Sequence, residues 1–261
     1  MRAWIAGAAL AAAMMVTVAE AGEPDHAPWD MLLGRYVSEN ADGVNRVDYG
    51  RWKTDGADRG ALTGYIRALE TVRPTTLPRA AQFAYWANLY NAVTVETVLA
   101  RYPVASIRDI RSEGLSLKGL IGPWQTRQVT VDGRRLSLVE IENAVMRPTF
   151  HDPRVHYALN CASMGCPNLR SHAFHGATLE AELDAAARAY INHPRGVQVT
   201  ARGLRLSSIY TWYAADFGTP PQLRAHLERY ASPALALQIR ATPTIAGYRY
   251  DWKLNGTGLA R

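Results

Sequence analysis

The stretch from Arg79 to Tyr102 constrains this chain more than any other. Phe83, Trp86, Tyr90, Val93, Thr97 and Arg101 recur at steps of three and four, Pro78 stands near the start, and Pro103 follows the end. That spacing is the period of one helix face, and the two prolines bound it. A helix with so large an aromatic stripe must bury it against the rest of the chain, so the fold is expected to be built around it. Inside it lie Asn88 and Asn91, three apart and on the face that also carries Tyr85 and Val95. Asparagine is a poor helix former because its amide competes for the backbone, so something must satisfy these two side chains. Two readings stay open. The amides bond loop backbone and fix the fold, or Asn88, Asn91 and Tyr85 line a cleft and orient a substrate carbonyl or a catalytic side chain.

Further helices are expected over Arg59–Thr71, Leu138–Met146, Thr178–Asn192, Ser208–Asp216 and Pro221–Ala231, several with Ser, Thr or Pro at the start. Arg127–Thr130 with Arg134–Ser137, and Val197–Thr200 with Leu204–Ser207, read as hairpins across Val131-Asp132-Gly133 and Ala201-Arg202-Gly203. Arg154–Asn160 alternates weakly and reads as a strand leading into a cysteine loop, and Tyr248–Trp252 reads as an edge strand. Strict strand–helix alternation is missing. The pattern is α+β, a mostly helical single domain with a small, mainly antiparallel sheet. With 48% hydrophobic and 20% charged residues over 261 positions, a disordered, collagen-like or disulfide-scaffold chain is excluded.

The N-terminus has Arg2, an apolar run from Ile5 to Val18, and Ala19-Glu20-Ala21, the small-x-small form of a signal-peptidase site. Residues 1–21 are therefore expected to be a signal peptide, 22–261 the globular domain, and the location periplasmic or secreted. The apolar run is about 14 residues, short of the roughly 20 that span a bilayer, so no membrane segment is expected after cleavage. The net charge of +6 comes from 29 scattered basic residues with one adjacent pair, Arg134-Arg135, so nucleic acid is not an expected partner. A monomer acting on a small molecule or peptide, without a cofactor, is the expectation.

The chemistry concentrates between Arg154 and Pro167. Cys161 and Cys166 are the two cysteines, and in an oxidising compartment a short-loop disulfide is one reading. If they stay reduced, Cys161 is a candidate nucleophile with Cys166 as alternate, His156 the general base, and Asn160 or a loop N–H the oxyanion holder. On a strand His156 and Asn160 would share one face and Cys161 the other, so the pair needs the chain to turn at Asn160. A looser third reading assembles Cys161, Cys166, His172 and His175, with His151 as a substitute, as metal ligands; the site is taken to be metal-free. Glu140 and Glu142 point about 200° apart on a helix and cannot serve one site. Arg147 is placed to pair with Glu142 across one turn or to bind an anionic ligand.

Tyr85-Trp86-Ala87-Asn88-Leu89-Tyr90-Asn91-Ala92, Ile141-Glu142, Val155-His156-Tyr157-Ala158-Leu159-Asn160-Cys161 and Cys166-Pro167 together resemble the family known as domain of unknown function 547. Ile121-Gly122-Pro123-Trp124, Trp212-Tyr213, Asp216-Phe217 and Tyr250-Asp251-Trp252-Lys253-Leu254-Asn255 extend the likeness, over roughly residues 75 to 255. The resemblance implies a domain of exported bacterial proteins, found in plants beside leucine-zipper regions, and favours Glu142 over Glu140 as the acid of the site. It implies no agreed activity. The expected function is a thiol-dependent hydrolase or acyl transferase; the rival is a non-catalytic binding or assembly module with a structural Cys161–Cys166 disulfide.

Overall fold

A computed structural model describes residues 22–110 and 123–258; the expected signal peptide, and Ile121 and Gly122 of the family-like motif, lie outside the described residues. Three helices lead in. α1 (Ala27–Tyr36) connects through the two-residue strands β1 (Val37–Ser38) and β2 (Arg46–Val47) to α2 (Tyr49–Thr54) and α3 (Gly56–Glu70). α3 starts three residues before the sequence expectation because the Asp55 side chain caps it by accepting from the Asp58 N–H. Their shared faces are aromatic, with Tyr36 stacked on Trp52 and Trp29 on Tyr65.

α4 (Arg79–Arg101) is the expected central helix, and it is buried on more than its aromatic stripe: Ala84, Leu89, Ala92 and Val98 are all fully inaccessible. Each buried Leu or Val side chain contributes about 1.5 to 3 kcal/mol. This helix and α1–α3 form the larger of two hydrophobic clusters.

The hairpin β3 (Arg127–Val131) and β4 (Arg134–Ser137) closes through Asp132 and Gly133, both at positive φ, as an Asp-Gly turn requires. The Leu138–Met146 helix exists but is not uniform. α5 (Leu138–Glu140) opens on a Ser137/Glu140 capping box, passes into a π-helical turn over Ile141–Met146, and ends as α6 (Arg147–Phe150). Pro148 has no N–H to return to Ala144, and the wider turn closes instead from the Arg147 N–H to the Glu142 carbonyl.

The expected strand over Arg154–Asn160 is not formed. Val155–Ala158 is a helical turn, α7, and only at Leu159 does the backbone become extended. Asp152 accepts from the Arg154 N–H and Pro153 sets the first φ, a helix-start arrangement. Val155 through Asn160 are buried without alternation, so a two-residue period had no exposed face to report.

The smaller cluster lies around α8 (Leu179–Ile191) and a three-stranded sheet. β5 (Val197–Thr200) and β6 (Gly203–Ser207) are the expected antiparallel hairpin. β7 (Ile245–Arg249) joins β6 in parallel, earlier in the chain than the edge strand expected over Tyr248–Trp252. Gly203 sits at φ 131°, and a Cβ there would stand 2.6 Å from the Thr244 carbonyl oxygen, so the approach of β7 needs glycine. The Ser208–Asp216 helix is two short pieces, α9 (Ile209–Trp212) and α10 (Ala214–Phe217), broken at Tyr213. α11 (Pro220–Tyr230) and α12 (Pro233–Ala241) complete a mostly helical α+β structure with small, mainly antiparallel sheets. Among the described residues no helix is long and apolar enough to cross a membrane.

Candidate functional site

Where the two clusters meet, a cleft of about 200 Å³ opens. The π turn delivers Glu142 to its floor, α7 delivers His156, and the loop after α7 delivers Cys161 and Cys166. Glu142, His156, Cys161 and Cys166, apart in sequence, thus border one cleft. The turn that His156 and Cys161 need to share a site is supplied by α7 ending at Ala158, not by a strand breaking at Asn160.

His156 is buried and held from both sides. Its Nε2 lies 2.7 Å from Asp216 Oδ2, and its Nδ1 lies 3.3 Å from Glu142 Oε1 without the alignment of a hydrogen bond. The ring stacks on Tyr213 at 3.9 Å between centroids. Arg147 takes Asp216 in a two-pronged grip, Nε to Oδ2 at 2.5 Å and Nη2 to Oδ1 at 3.0 Å, and donates to Asn143 Oδ1 at 2.7 Å. Burial alone would raise the Asp216 carboxyl, but the hydrogen bonds from Arg147 and His156 outweigh it and hold the group below the usual carboxylate range. Arg147 therefore serves Asp216 rather than Glu142, a correction to the sequence reading. Asp216 was a residue of the family-like pattern without an assigned role, and α10 is what brings it across.

Glu142 keeps its carboxylate at the cleft. Burial, and next the Glu142 charge, push the Tyr90 and Tyr213 phenols upward, so both stay protonated beside it. Glu140 points elsewhere, to Arg127 at 2.7 Å and back to the Ser137 N–H at 2.9 Å. The hydrogen bond from Arg127, then that from Ser137, lowers its carboxyl to about 2.

Cys161 and Cys166 form a disulfide with 6.1 Å between their Cα atoms. Cys166 is 3% exposed while Cys161 is half-buried. The Cys161 N–H donates to Cys166 Sγ at 2.9 Å, and the Tyr250 hydroxyl lies 3.0 Å from each sulfur.

The walls are aromatic. Trp212 stacks on Trp252 at 5.5 Å, Tyr250 packs against both, and Trp124 meets Trp252 edge to face. Trp212 is 49% exposed, which leaves an indole face open to solvent at the cleft. None of these walls was read as a site from sequence; the density of Trp and Tyr in 212–213 and 250–252 was the signal available.

The remaining sequence candidates hold the scaffold and do not line the cleft. Asn88 donates to the Phe174 carbonyl and accepts from the Phe174 N–H, at 2.8 and 2.9 Å. Asn91 does the same with the Ala158 carbonyl and the Asn160 N–H, at 2.9 and 2.8 Å. Tyr85 donates to the Leu69 carbonyl. Asn160 donates to the Pro167 carbonyl at 2.7 Å and accepts from the Ala162 N–H at 2.9 Å, clamping the cysteine loop. The Cys161, Cys166, His172 and His175 set is not gathered: His175 meets Asp30 at 3.0 Å, and His172 meets Arg170. No group of three or more His, Cys, Asp or Glu among the described residues is arranged to hold a metal ion.

Fold and site together define a mostly helical α+β protein with an aromatic-walled cleft floored by a carboxylate–imidazole cluster and a disulfide. Residues 74–191 match the family described as protein of unknown function, DUF547. The match covers α4, Glu142, His156 and both cysteines and stops before Tyr213, Asp216 and Tyr250. Neither a curated protein nor a solved structure matches the chain.

Proposed function

We propose that the protein is a binding protein whose cleft takes an organic cation bearing one flat ring. The observation that carries this reading is the Glu142 carboxylate at the base of walls made by Trp124, Trp212, Tyr213, Tyr250 and Trp252. Aromatic faces attract cations through their quadrupoles, and a carboxylate among them adds a charge partner. The space suits one ring, since a cavity of roughly 150 Å³ already holds benzene. Location in the periplasm or outside the cell belongs to the same reading; the charged, apolar and small-residue order of 1–21 and a paired cysteine set support it.

The test is an isothermal calorimetric titration with tryptamine and with its neutral counterpart, tryptophol. Tryptamine is expected to bind at least tenfold more tightly, and E142Q is expected to remove that preference. Equal affinity for the two probes, or no binding of either, overturns the reading.

A second reading is favoured by a separate observation, that Cys161, Cys166 and His156 border one cleft. In a reduced protein, Cys161 would act as nucleophile of a hydrolase or acyl transferase, with His156 as general base and Asn160 and Glu142 as orienting groups. Both His156 nitrogens face carboxylates in the oxidised protein, so this chemistry needs the imidazole to turn toward sulfur. Intact-mass analysis with iodoacetamide, with and without reductant, decides it. Labelling without reductant supports the thiol enzyme; labelling only after reduction, with no turnover of amide or ester probes, removes it.

A further inference from the structure

Two hydrogen-bond donors aimed at one disulfide sulfur are more than a merely structural bridge uses. A disulfide sulfur is a weak acceptor, whereas a thiolate is a strong one whose formation is favoured by every N–H and O–H pointed at it. Cys166 Sγ receives the Cys161 N–H at 2.9 Å, a donor that Cys161 Sγ lacks, and the Tyr250 O–H lies 3.0 Å from Cys166 Sγ and equally 3.0 Å from Cys161 Sγ, within reach of whichever sulfur carries the charge. Ser163 donates its hydroxyl to the Tyr250 oxygen at 3.1 Å, which leaves the phenol proton free for sulfur. Burial pushes the Tyr250 phenol upward, so it remains a donor at any physiological pH. The two sulfurs also differ in access. Both border the cleft, yet Cys166 is buried and Cys161 half-buried. A short loop of this kind adds little by restricting the unfolded chain, so stability alone is a thin reason for the bridge.

We propose that the Cys161–Cys166 disulfide is a thiol–disulfide exchange centre that oxidises low-molecular-weight thiols entering the cleft, with Cys161 as the attacked sulfur and Cys166 as the leaving one. An incoming thiolate attacks Cys161 Sγ, a new S–S bond forms to Cys161, and the Cys161–Cys166 bond breaks. Its electron pair stays on Cys166, whose thiolate is held by the Cys161 N–H and the Tyr250 hydroxyl. A second thiolate then attacks the substrate-derived sulfur of the mixed disulfide. The small-molecule disulfide leaves, and Cys161 departs as thiolate. Two thiols are oxidised by two electrons and the protein's disulfide is reduced to two thiols. Exchange is governed by which sulfur is reached and by how well the departing thiolate is stabilised, and here the accessible sulfur and the stabilised leaving group are the two ends of one bond.

The experiment treats the oxidised full chain with reduced glutathione, quenches with N-ethylmaleimide, and reads the products by intact mass and peptide mapping. A glutathione adduct on Cys161 with maleimide on Cys166 is expected. Y250F is expected to slow adduct formation about tenfold, and its near-ultraviolet circular dichroism serves as the check on folding. A further measurement, thiolate absorbance of the reduced protein against pH, is expected to show one cysteine ionising below the ordinary range near 8.5 and to move upward in Y250F. A native disulfide that resists glutathione while the urea-unfolded chain reacts overturns the proposal, as does an adduct on Cys166. An unchanged rate together with an unchanged titration in Y250F does so too. None of these outcomes depends on cation binding, so this proposal and the binding reading fail separately.

Discussion

The asparagine face of α4 and the floor of the cleft are both polar, both buried, and both carried by residues of the same family-like pattern. They differ in how completely they are satisfied. Asn88 and Asn91 each give an amide proton to a carbonyl and take one from a backbone N–H. At the cleft floor His156 Nδ1 has no aligned partner, the Glu142 side chain borders an open space, and two sulfurs face the same space. A closed set of hydrogen bonds is what a fold needs, and an open set beside a cavity is what a ligand or a reaction needs. Identical-looking polar residues in a buried pattern therefore separate into scaffold and site only when their partners are counted.

The sharpest way to break this comparison is Asn91→Ala. It strands the Ala158 carbonyl and the Asn160 N–H together, and a loss of about 3 kcal/mol is expected in chemical denaturation; a loss under about 1 kcal/mol would mean that the α4 face is not the clamp described here. Replacing both cysteines by serine is expected to remove about 2 kcal/mol, the low end for a short loop, with tryptamine affinity kept within threefold. For Glu142→Gln the order reverses. Stability is expected to stay within about 1 kcal/mol while the tryptamine preference, at least tenfold or about 1.4 kcal/mol, disappears.

A separate effect is a pH dependence outside both regions. Burial, ahead of the nearby charges, lowers the His226 imidazole to about 4, and its Nε2 lies 2.9 Å from the Tyr157 hydroxyl. A folded value below the unfolded one near 6.5 means that the unfolded chain binds the proton more readily. The contribution is thus present above pH 6.5 and lost as pH falls toward 4. The melting temperature is expected to drop across that window, and His226→Gln to flatten part of the drop; a flat profile in the parent protein would contradict it.

Much of the fold was legible in the sequence because period and punctuation are local. α4 and both hairpins follow from spacing, prolines and turn glycines. α7 was not legible, since a segment buried on every side shows no alternation to separate strand from helix. The π turn was not legible either: it depends on where the 138–150 segment must place Glu142 and on a missing N–H at Pro148. At the site, Cys161, Cys166, His156 and Glu142 were legible as chemistry-bearing residue types in a family-like pattern. Asp216, Tyr213, Tyr250 and Trp252 were not, because an acid or aromatic residue far along the chain carries no mark of the partner it will meet.

By itself the sequence determined which residues form the central helix, where its hairpins turn, and which side chains could do chemistry. Only the tertiary structure decided which asparagines bond the backbone, which carboxylate Arg147 holds, and which sulfur is shielded. Helix and turn preferences are set by neighbours three or four residues away. Hydrogen-bond partners and exposure are set by segments from Tyr90 to Trp252 that meet only after the two clusters pack.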